Sequence, residues 1–116
     1  MKKQEQIKLN EEVRNIVATR CQPYFEKYPY KIFSRRHFDY PHYIGCINYC
    51  NAHLYRVYNG IMLESYDICV AWYDFETGNV YDFLRLARGY DSGSAQHIRK
   101  FAKYCNAKRI ISYREV

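Results

Sequence analysis

Long apolar runs are missing from this chain of 116 residues. No stretch approaches the roughly 18 consecutive apolar residues that a membrane-spanning helix requires. The basic start MKKQEQIKLN is not followed by the apolar segment of a secretion signal. We therefore expect a protein that makes no membrane contact and acts in the cytoplasm.

Repeats, low-complexity tracts and interdomain linkers are missing as well. The chain has only 5 Gly and 3 Pro, and its 48% hydrophobic content is enough for one modest core. We predict a single compact domain over residues 1–116.

Cysteine is too sparse and irregular for a disulfide framework. The 5 cysteines are odd in number, and no C-x2-C pair occurs. They are scattered within apolar patterns, which favours buried, reduced thiols of the kind found in cytosolic proteins.

One stretch nevertheless combines two histidines with two cysteines, HYIGCINYCNAH at residues 42–53. These are the side chains that zinc prefers. On a straight helix or strand, ligands four residues apart spread along the element and cannot surround one ion. Only a tight loop would bring them together, so we expect no structural metal and no cofactor.

Charge is distributed unevenly along the chain. Residues 1–51 carry nine Lys/Arg against five Asp/Glu, residues 52–84 carry one against five, and residues 85–116 carry eight against two. Basic ends therefore flank an acidic middle. Such a distribution attracts a polyanion to one face of the molecule, which makes nucleic acid or a nucleoprotein the first partner class to consider.

Tyrosine is unusually abundant, with 14 residues. Its ring combines apolar contact area with a hydrogen-bonding hydroxyl, which suits both wet interfaces and the stacking of bases. We expect about half of these side chains to be core packing residues.

The hydrophobic pattern predicts an α+β fold, in which an antiparallel sheet of about four to six strands is packed by an N-terminal and a C-terminal helix. Asn10 is the expected N-cap of the first helix, and Pro23 is expected to kink it. Residues 31–42 are predicted to form an irregular connector or a short edge strand, and Gly45 indicates a bulge within a strand at 43–49.

A central meander follows. Asn59-Gly60 is a strong signal for a hairpin turn, and Ile68, Val70 and Trp72 alternate on one face of a strand. The strands are predicted at 53–58, 61–65, 67–75 and 80–86.

The last part of the chain predicts a helix and a short strand. The DSGS sequence at 91–94 caps a helix whose apolar stripe runs from Ala95 to Cys105, and Asn106 ends it. A final strand is predicted at 109–113.

Basic side chains concentrate around this last helix, opposite its apolar stripe. His97 is expected at the surface, and backbone amides near Ser94 would add an anion-binding helix start. The same pattern is also typical of a merely solvated helix face. With two arginines of the connector, the candidate residues for binding nucleic acid or a partner are Arg35, Arg36, Arg85, Arg88, Arg99, Lys100, Lys103, Tyr104, Lys108 and Arg109.

Fewer residues of the sequence indicate a catalytic function. Four acids of the meander (Asp67, Asp74, Glu76 and Asp82) would suit a metal-dependent nuclease or, without catalysis, a mimic of phosphate. No lysine accompanies them in the meander. We therefore predict no enzyme, no catalytic residue and no metal.

Two triplets, Tyr28-Pro29-Tyr30 and Tyr43-Ile44-Gly45, are similar to the paired motif of GIY-YIG endonucleases. In that family the second triplet leads into a helix with a functional arginine. Here it leads into the Asn-Gly hairpin, and the first triplet departs from the family pattern.

Residues 63–102 carry a second similarity. LESYDICVAWYD, TGNVYDF and SAQHIRKF resemble an uncharacterised small domain of phage and plasmid proteins, which has an S-Y-x3-V-A strand and a Ser/Thr-x2-H-I-x2-F helix. The matching residues are Ser65, Tyr66, Val70, Ala71, Gly78, Tyr81, Ser94, His97, Ile98 and Phe101. This resemblance implies an origin in mobile genetic elements.

These observations lead to a functional prediction. We expect a non-enzymatic inhibitor that docks on a host protein or protein–RNA complex, resembling anti-CRISPR proteins in size and style, within the cytoplasm of the host cell. A stand-alone DNA- or RNA-binding accessory protein is the first alternative, and a metal-dependent nuclease is the second.

Overall fold

A computed structural model describes residues 2–21, 41–57 and 59–116, with the side chain of Cys21 excepted. The predicted kink at Pro23, most of the predicted connector and two candidate binding residues, Arg35 and Arg36, lie outside the described residues. None of the described helices is long and apolar enough to cross a membrane.

Three helices and six strands form the described part of the chain. In chain order they are α1 (Lys3–Cys21), β1 (His42–Ile47), β2 (Ala52–Val57), β3 (Gly60–Ser65), β4 (Ile68–Asp74), β5 (Val80–Asp82), α2 (Leu84–Ala87), α3 (Ser92–Tyr104) and β6 (Ile110–Ser112). The strands follow one another in a single sheet in the order β1 to β6. All neighbours are antiparallel except β5 and β6, which are parallel. The predicted α+β class, with a mainly antiparallel sheet between two helices, is confirmed.

Asn10 is not a helix cap, because α1 begins seven residues earlier at Lys3. Its side chain is buried and hydrogen-bonds to Gln6 and to the backbone of Arg114. Asparagine is poor in a helix interior unless its amide finds such partners. The long-range contact therefore overrides the local preference.

A glycine bulge in β1 is confirmed. The pairing register shifts between Tyr43 and Gly45, and Gly45 has φ 150°.

A second bulge, in β4, was not predicted. Leu63 pairs with Ala71 but Glu64 pairs with Cys69, so Val70 is an extra residue. As a result Trp72 packs on the side of α1, whereas Val70 packs on the side of α3. The predicted alternation of Ile68, Val70 and Trp72 on one face is therefore wrong.

The turns of the meander differ from the predicted ones. Gly60 belongs to β3 and pairs with Val57, so the first loop lies one residue earlier than the Asn-Gly signal predicts. The left-handed pair is instead Tyr66-Asp67, with φ 50° and 66°, in the loop between β3 and β4. Two central residues with positive φ are typical of a type I′ hairpin.

The segment after β4 also departs from the expected strand at 80–86. β5 ends at Asp82, whose Oδ1 accepts a hydrogen bond from the Leu84 amide and turns the chain into α2. The cap of α3 is confirmed, because Asp91 Oδ1 accepts from the Ser94 amide at 3.1 Å. Asn106 follows the helix with φ 53°, as predicted for a helix stop.

Both faces of the sheet are covered, which gives the molecule three layers. Val13 and Val17 of α1 pack on one face with Trp72. Ile98 and Phe101 of α3 pack on the opposite face. The middle strands are therefore buried on both sides, which explains their nearly continuous apolar sequence.

Gly60 is required by packing and not by turn geometry. A Cβ at this position would collide with the Tyr73 carbonyl oxygen and the Trp72 ring. We expect Gly60→Ala to lower the free energy of unfolding by about 1–3 kcal/mol, the usual cost of overpacking. Urea denaturation of Gly60→Ala and of the neighbouring control Asn59→Ala measures this. A larger loss in Asn59→Ala would contradict the packing explanation.

Candidate anion-binding groove

A groove of about 450 Å³ lies where β5 and β6 end, beside the first turns of α3. Arg85 of α2, Arg99 of α3 and Arg114, two residues after β6, line it together with Tyr90 and Asp82. We call this site the arginine groove. It depends on the parallel pairing of β5 and β6, which places their carboxyl ends side by side.

Arg114 is held in place by α1. The Asn10 side chain donates from Nδ2 to the Arg114 carbonyl at 2.6 Å and accepts the Arg114 amide at 2.9 Å. Gln6 Nε2 donates to the Ser112 carbonyl at 3.0 Å. The side-chain amides of Gln6 and Asn10 thus bind the backbone at the end of β6 as a neighbouring strand would. They fix the position of the Arg114 backbone, from which its side chain extends into the groove.

The three groove arginines form no ion pair with an acid of the described residues. Among the described residues, the ion pairs of arginine involve Arg20 and Arg88 but none of the three groove arginines. The Arg85 guanidinium lies over the Tyr90 ring, 4.7 Å from its centroid, and Tyr90 is 61% exposed. Unpaired arginines beside an open aromatic ring form a surface suited to an anionic ligand that carries a ring.

Asp82 is the acid within this basic groove. Its Oδ1 accepts from the Leu84 amide at 2.9 Å and its Oδ2 from the Ser112 hydroxyl at 3.1 Å. Burial raises the pKa of Asp82, and these hydrogen bonds, together with the charges of Arg114 and Arg85, oppose the increase. The carboxylate is therefore fixed in position by groups that favour its charged form.

Four predicted binding residues (Lys103, Tyr104, Lys108 and Arg109) are exposed but do not line the groove. Lys103 and Tyr104 are exposed at the end of α3, and Lys103 lies one turn beyond Arg99. Arg109 is exposed next to Ile110, which lines the groove. Lys108 is exposed too, and its methylene groups lie close to Gly78.

Arg88 and Lys100 make contacts outside the groove. Arg88 lies 3.7 Å from Asp91 Oδ2 and over the Tyr66 ring. Lys100 Nζ donates to Asn48 Oδ1 at 2.6 Å. The cations predicted as one face are thus divided: Arg85 and Arg99 line the arginine groove, Lys100 contacts the loop after β1, and Arg88 contacts Tyr66 in the loop between β3 and β4.

The predicted exposure of His97 is wrong. Its side chain is only 1% exposed and lies between the sheet and α3. His97 Nδ1 is 2.7 Å from Ser65 Oγ, which is 3.0 Å from Ser94 Oγ, and His97 Nε2 is 2.9 Å from Asn48 Nδ2. This polar network ties β3 and the loop after β1 to α3.

The network fixes the tautomer of His97. Lys100 donates to Asn48 Oδ1, so the Asn48 amide nitrogen faces His97 and donates to Nε2. The ring proton is then on Nδ1 and is donated to Ser65. His97 consequently holds Ser65 in place instead of accepting its proton.

The start of α3 is also less available to an anion than predicted. The Ser94 amide already donates to Asp91, and Ser94 itself is fully buried.

Cys46 and Cys50 form a disulfide. The expectation that all cysteines are reduced is therefore wrong for this pair, whose Cα atoms lie 4.7 Å apart. Asn48, Tyr49 and Cys50 have positive φ and form the tight loop that brings the sulfurs together. His53 Nε2 lies 3.0 Å from the Cys50 carbonyl oxygen. Within residues 2–21, 41–57 and 59–116, no cluster of His, Cys, Asp or Glu could hold a metal ion.

The four acids of the meander do not share a surface. Asp74 is fully buried and lies 3.6 Å from Arg20, which also pairs with Glu76. Asp67 is in the exposed turn before β4, and Asp82 is in the arginine groove. The four acids therefore do not form one acidic surface, and Arg20 contacts both Asp74 and Glu76.

Two residues of the groove, Arg114 and Tyr90, were missed as binding residues in the sequence, and Asp82 was considered only as a metal ligand or a phosphate mimic. Arg114 shares a strand period of two with Ile110 and Ser112, a signal that could have found it. Tyr90 and Asp82 carry no such signal, because their position depends on α2 and on the β5–β6 pairing.

The buried His97 predicts a pH dependence of stability. Burial and the charge of Lys100 lower its pKa, while Asp91 opposes the shift. Below the ordinary value of about 6.5 the unfolded chain takes up a proton that the folded protein resists. Stability is therefore complete above this pH and falls as the pH decreases, by at most about 1.4 kcal/mol per pH unit for this group.

We expect His97→Gln to flatten this dependence between pH 7 and 5. Thermal unfolding followed by circular dichroism measures it, with the exposed His42→Gln as the matched control. An equally steep fall in His97→Gln would exclude His97 as the cause.

No family model, no curated protein and no solved structure matches this chain. The resemblance of residues 63–102 to a phage and plasmid domain remains a prediction.

Proposed function

We propose that the protein binds nucleic acid by placing the phosphate backbone in the arginine groove. The observation that carries this proposal is the convergence of Arg85, Arg99 and Arg114, from three separate elements, without an acidic ion-pair partner among the described residues. Guanidinium groups bind phosphate through paired N–H donors and stay charged at all physiological pH values. Three such groups around one groove suit a ligand with several phosphates.

A polyanion fits this surface better than a small anion. Further exposed cations adjoin groove residues in the chain, since Lys103 lies one turn beyond Arg99 on α3 and Arg109 precedes Ile110. Tyr90 offers a ring on which a base can stack, a contact that single-stranded nucleic acids use without regard to sequence. The stretch 85–116, with eight basic and two acidic residues, supplies this field.

A non-catalytic role is supported by the state of the nucleophile candidates. Ser65 accepts a hydrogen bond from His97 Nδ1–H, so His97 is not oriented to act as its general base. Burial raises the pKa of the Cys105 thiol to about 12, so this cysteine stays protonated at neutral pH. An unactivated hydroxyl and a neutral thiol are poor nucleophiles.

A second candidate is an inhibitor that docks on a nucleoprotein effector. Tyr49 is 98% exposed on the loop closed by the disulfide, and Tyr43 is 52% exposed in the neighbouring strand β1. Rigidly held, exposed tyrosines are common anchors in protein interfaces. In this case the arginine groove would contact guide or target phosphates while the tyrosines contact protein.

Removal of the groove cations tests the first proposal. We expect Arg85→Ala/Arg99→Ala/Arg114→Ala to lose most of its affinity for a fluorescein-labelled single-stranded oligonucleotide in an anisotropy titration. The slope of log K against log salt should weaken by about 2, because each lost phosphate contact removes roughly 0.7. Arg56→Ala, an exposed arginine on β2, is the control and should bind as wild type.

The same titration separates the two candidates. If wild-type protein leaves bare single and double strands unbound but binds an assembled RNA-guided effector, the second candidate is correct and the first is not. If the triple variant binds oligonucleotides as well as wild type does, the arginine groove is not the site.

The role of Asn10 gives a second prediction. Asn10→Ala removes both contacts to the Arg114 backbone, so Arg114 should lose its fixed position. We expect an affinity loss of roughly threefold or more, up to that of Arg114→Ala, without a change in preference among sequences. Asn15→Ala, an exposed residue of the same helix, is the control. Because a buried polar contact is lost, folding is checked by circular dichroism, and full affinity in a folded Asn10→Ala protein would show that Arg114 needs no such support.

A further inference from the structure

Asp82 is unexpected in a groove that binds phosphate, because its negative charge repels a phosphate from the same position. Its two oxygens are held by the Leu84 amide and the Ser112 hydroxyl, one donor on each oxygen. A carboxylate has about four acceptor positions, so each oxygen retains one for a ligand. Asp82 can therefore accept two further hydrogen bonds, one on each oxygen.

The ligand of such a groove must satisfy two requirements at once. It must bring negative charge to Arg85, Arg99 and Arg114, and it must bring N–H donors to Asp82. The two oxygens of a carboxylate lie side by side, so two adjacent, parallel N–H groups match them best. A phosphate alone satisfies the first requirement only.

Among the common bases, guanine carries two adjacent N–H donors on its Watson–Crick edge, at N1 and N2. Adenine and cytosine place a single amino group beside an acceptor nitrogen, and uracil places one N–H between two carbonyl oxygens. Each of these three bases would direct an acceptor toward one oxygen of Asp82. The chemistry of the carboxylate therefore favours guanine.

The remaining walls of the groove suit a flat base. Ile98 and Ile110 line it with apolar surface, and the Arg85–Tyr90 pair offers a stacking surface. Its volume of about 450 Å³ lies within the usual range for small-ligand pockets. The Watson–Crick edge of a base is accessible only when the base is unpaired, so the ligand is single-stranded.

We propose that the arginine groove receives an unpaired guanosine of a single-stranded nucleic acid, with Asp82 accepting N1–H and N2–H of the base and the three arginines binding the neighbouring phosphates. This inference rests on the proposed nucleic-acid binding and adds base recognition to it. Asp82 supplies the specificity, whereas the arginines supply most of the affinity.

The test is an anisotropy titration with 11-nucleotide oligouridylates that differ only at the central position, which is G, inosine, A, C or U. Wild-type protein should bind the G oligonucleotide roughly tenfold more tightly than the A, C and U ones, within the range for a bidentate base contact. Inosine lacks the N2 amino group and should fall between them.

Two variants connect the preference to Asp82. Asp82→Asn replaces one acceptor with a donor while both internal partners can still be satisfied, so the G preference should disappear, while affinity for the U oligonucleotide should rise because a negative charge has left the groove. Ser112→Ala keeps the charge of Asp82 but removes the hydrogen bond that holds its Oδ2. The ratio of the affinity for the G oligonucleotide to that for the A, C and U ones should therefore decrease.

The outcomes distinguish the two proposals. Equal binding of all five oligonucleotides by wild type, or a preference for another base, overturns guanine recognition and leaves the proposed function intact. A G preference that survives in folded Asp82→Asn also overturns it. No binding of any oligonucleotide by folded wild-type protein overturns the proposed function and this inference together.

Discussion

Burial of the sheet on both faces is the constraint from which the rest of this structure follows. The apolar side chains of β4 point both ways, so one helix must cover each face. α1 covers one of them, and the chain must pass over the other as α3 before β6 can join the sheet. That crossing makes β6 parallel to β5, because the chain returns to the end at which β5 began. The arginine groove lies where these two strands end, a position at which α/β proteins often bind ligands.

The groove combines the two kinds of charge that the sequence keeps apart. Asp82 belongs to the acidic middle of the chain, whereas Arg99 and Arg114 belong to its basic end. In the folded protein the three groove arginines lie around Asp82, but none of them forms an ion pair with it. Phosphate is therefore attracted to the sides of the groove, and its centre is left for a group that donates hydrogen bonds. Net charge alone would have predicted attraction without any selectivity.

Much of the architecture could be predicted because it depends on local signals. The cap at Asp91 and the apolar stripe of α3 act within a few residues, and the structure retains them. The role of Gly60 was predicted wrongly, because glycine is required there by the Trp72 ring and the Tyr73 carbonyl of the neighbouring strand β4, and not by a turn. The residue Tyr66 adopts a left-handed turn that no local propensity favours, supported by its contacts with Arg88 and His97. In the site, helical periodicity places Arg99 correctly, but His97 lies at the border of the apolar stripe, where only the partners across the interface decide burial.

The side-chain amides of α1 have one more consequence, for the edge of the sheet. An edge strand presents unpaired backbone groups that can recruit a strand from another molecule. Gln6 donates a hydrogen bond to the Ser112 carbonyl. Asn10 donates to the Arg114 carbonyl and accepts from the Arg114 amide. Two side chains of α1 thus occupy three of the hydrogen-bonding positions that an incoming strand would use, so the first helix opposes intermolecular sheet growth at the end of β6.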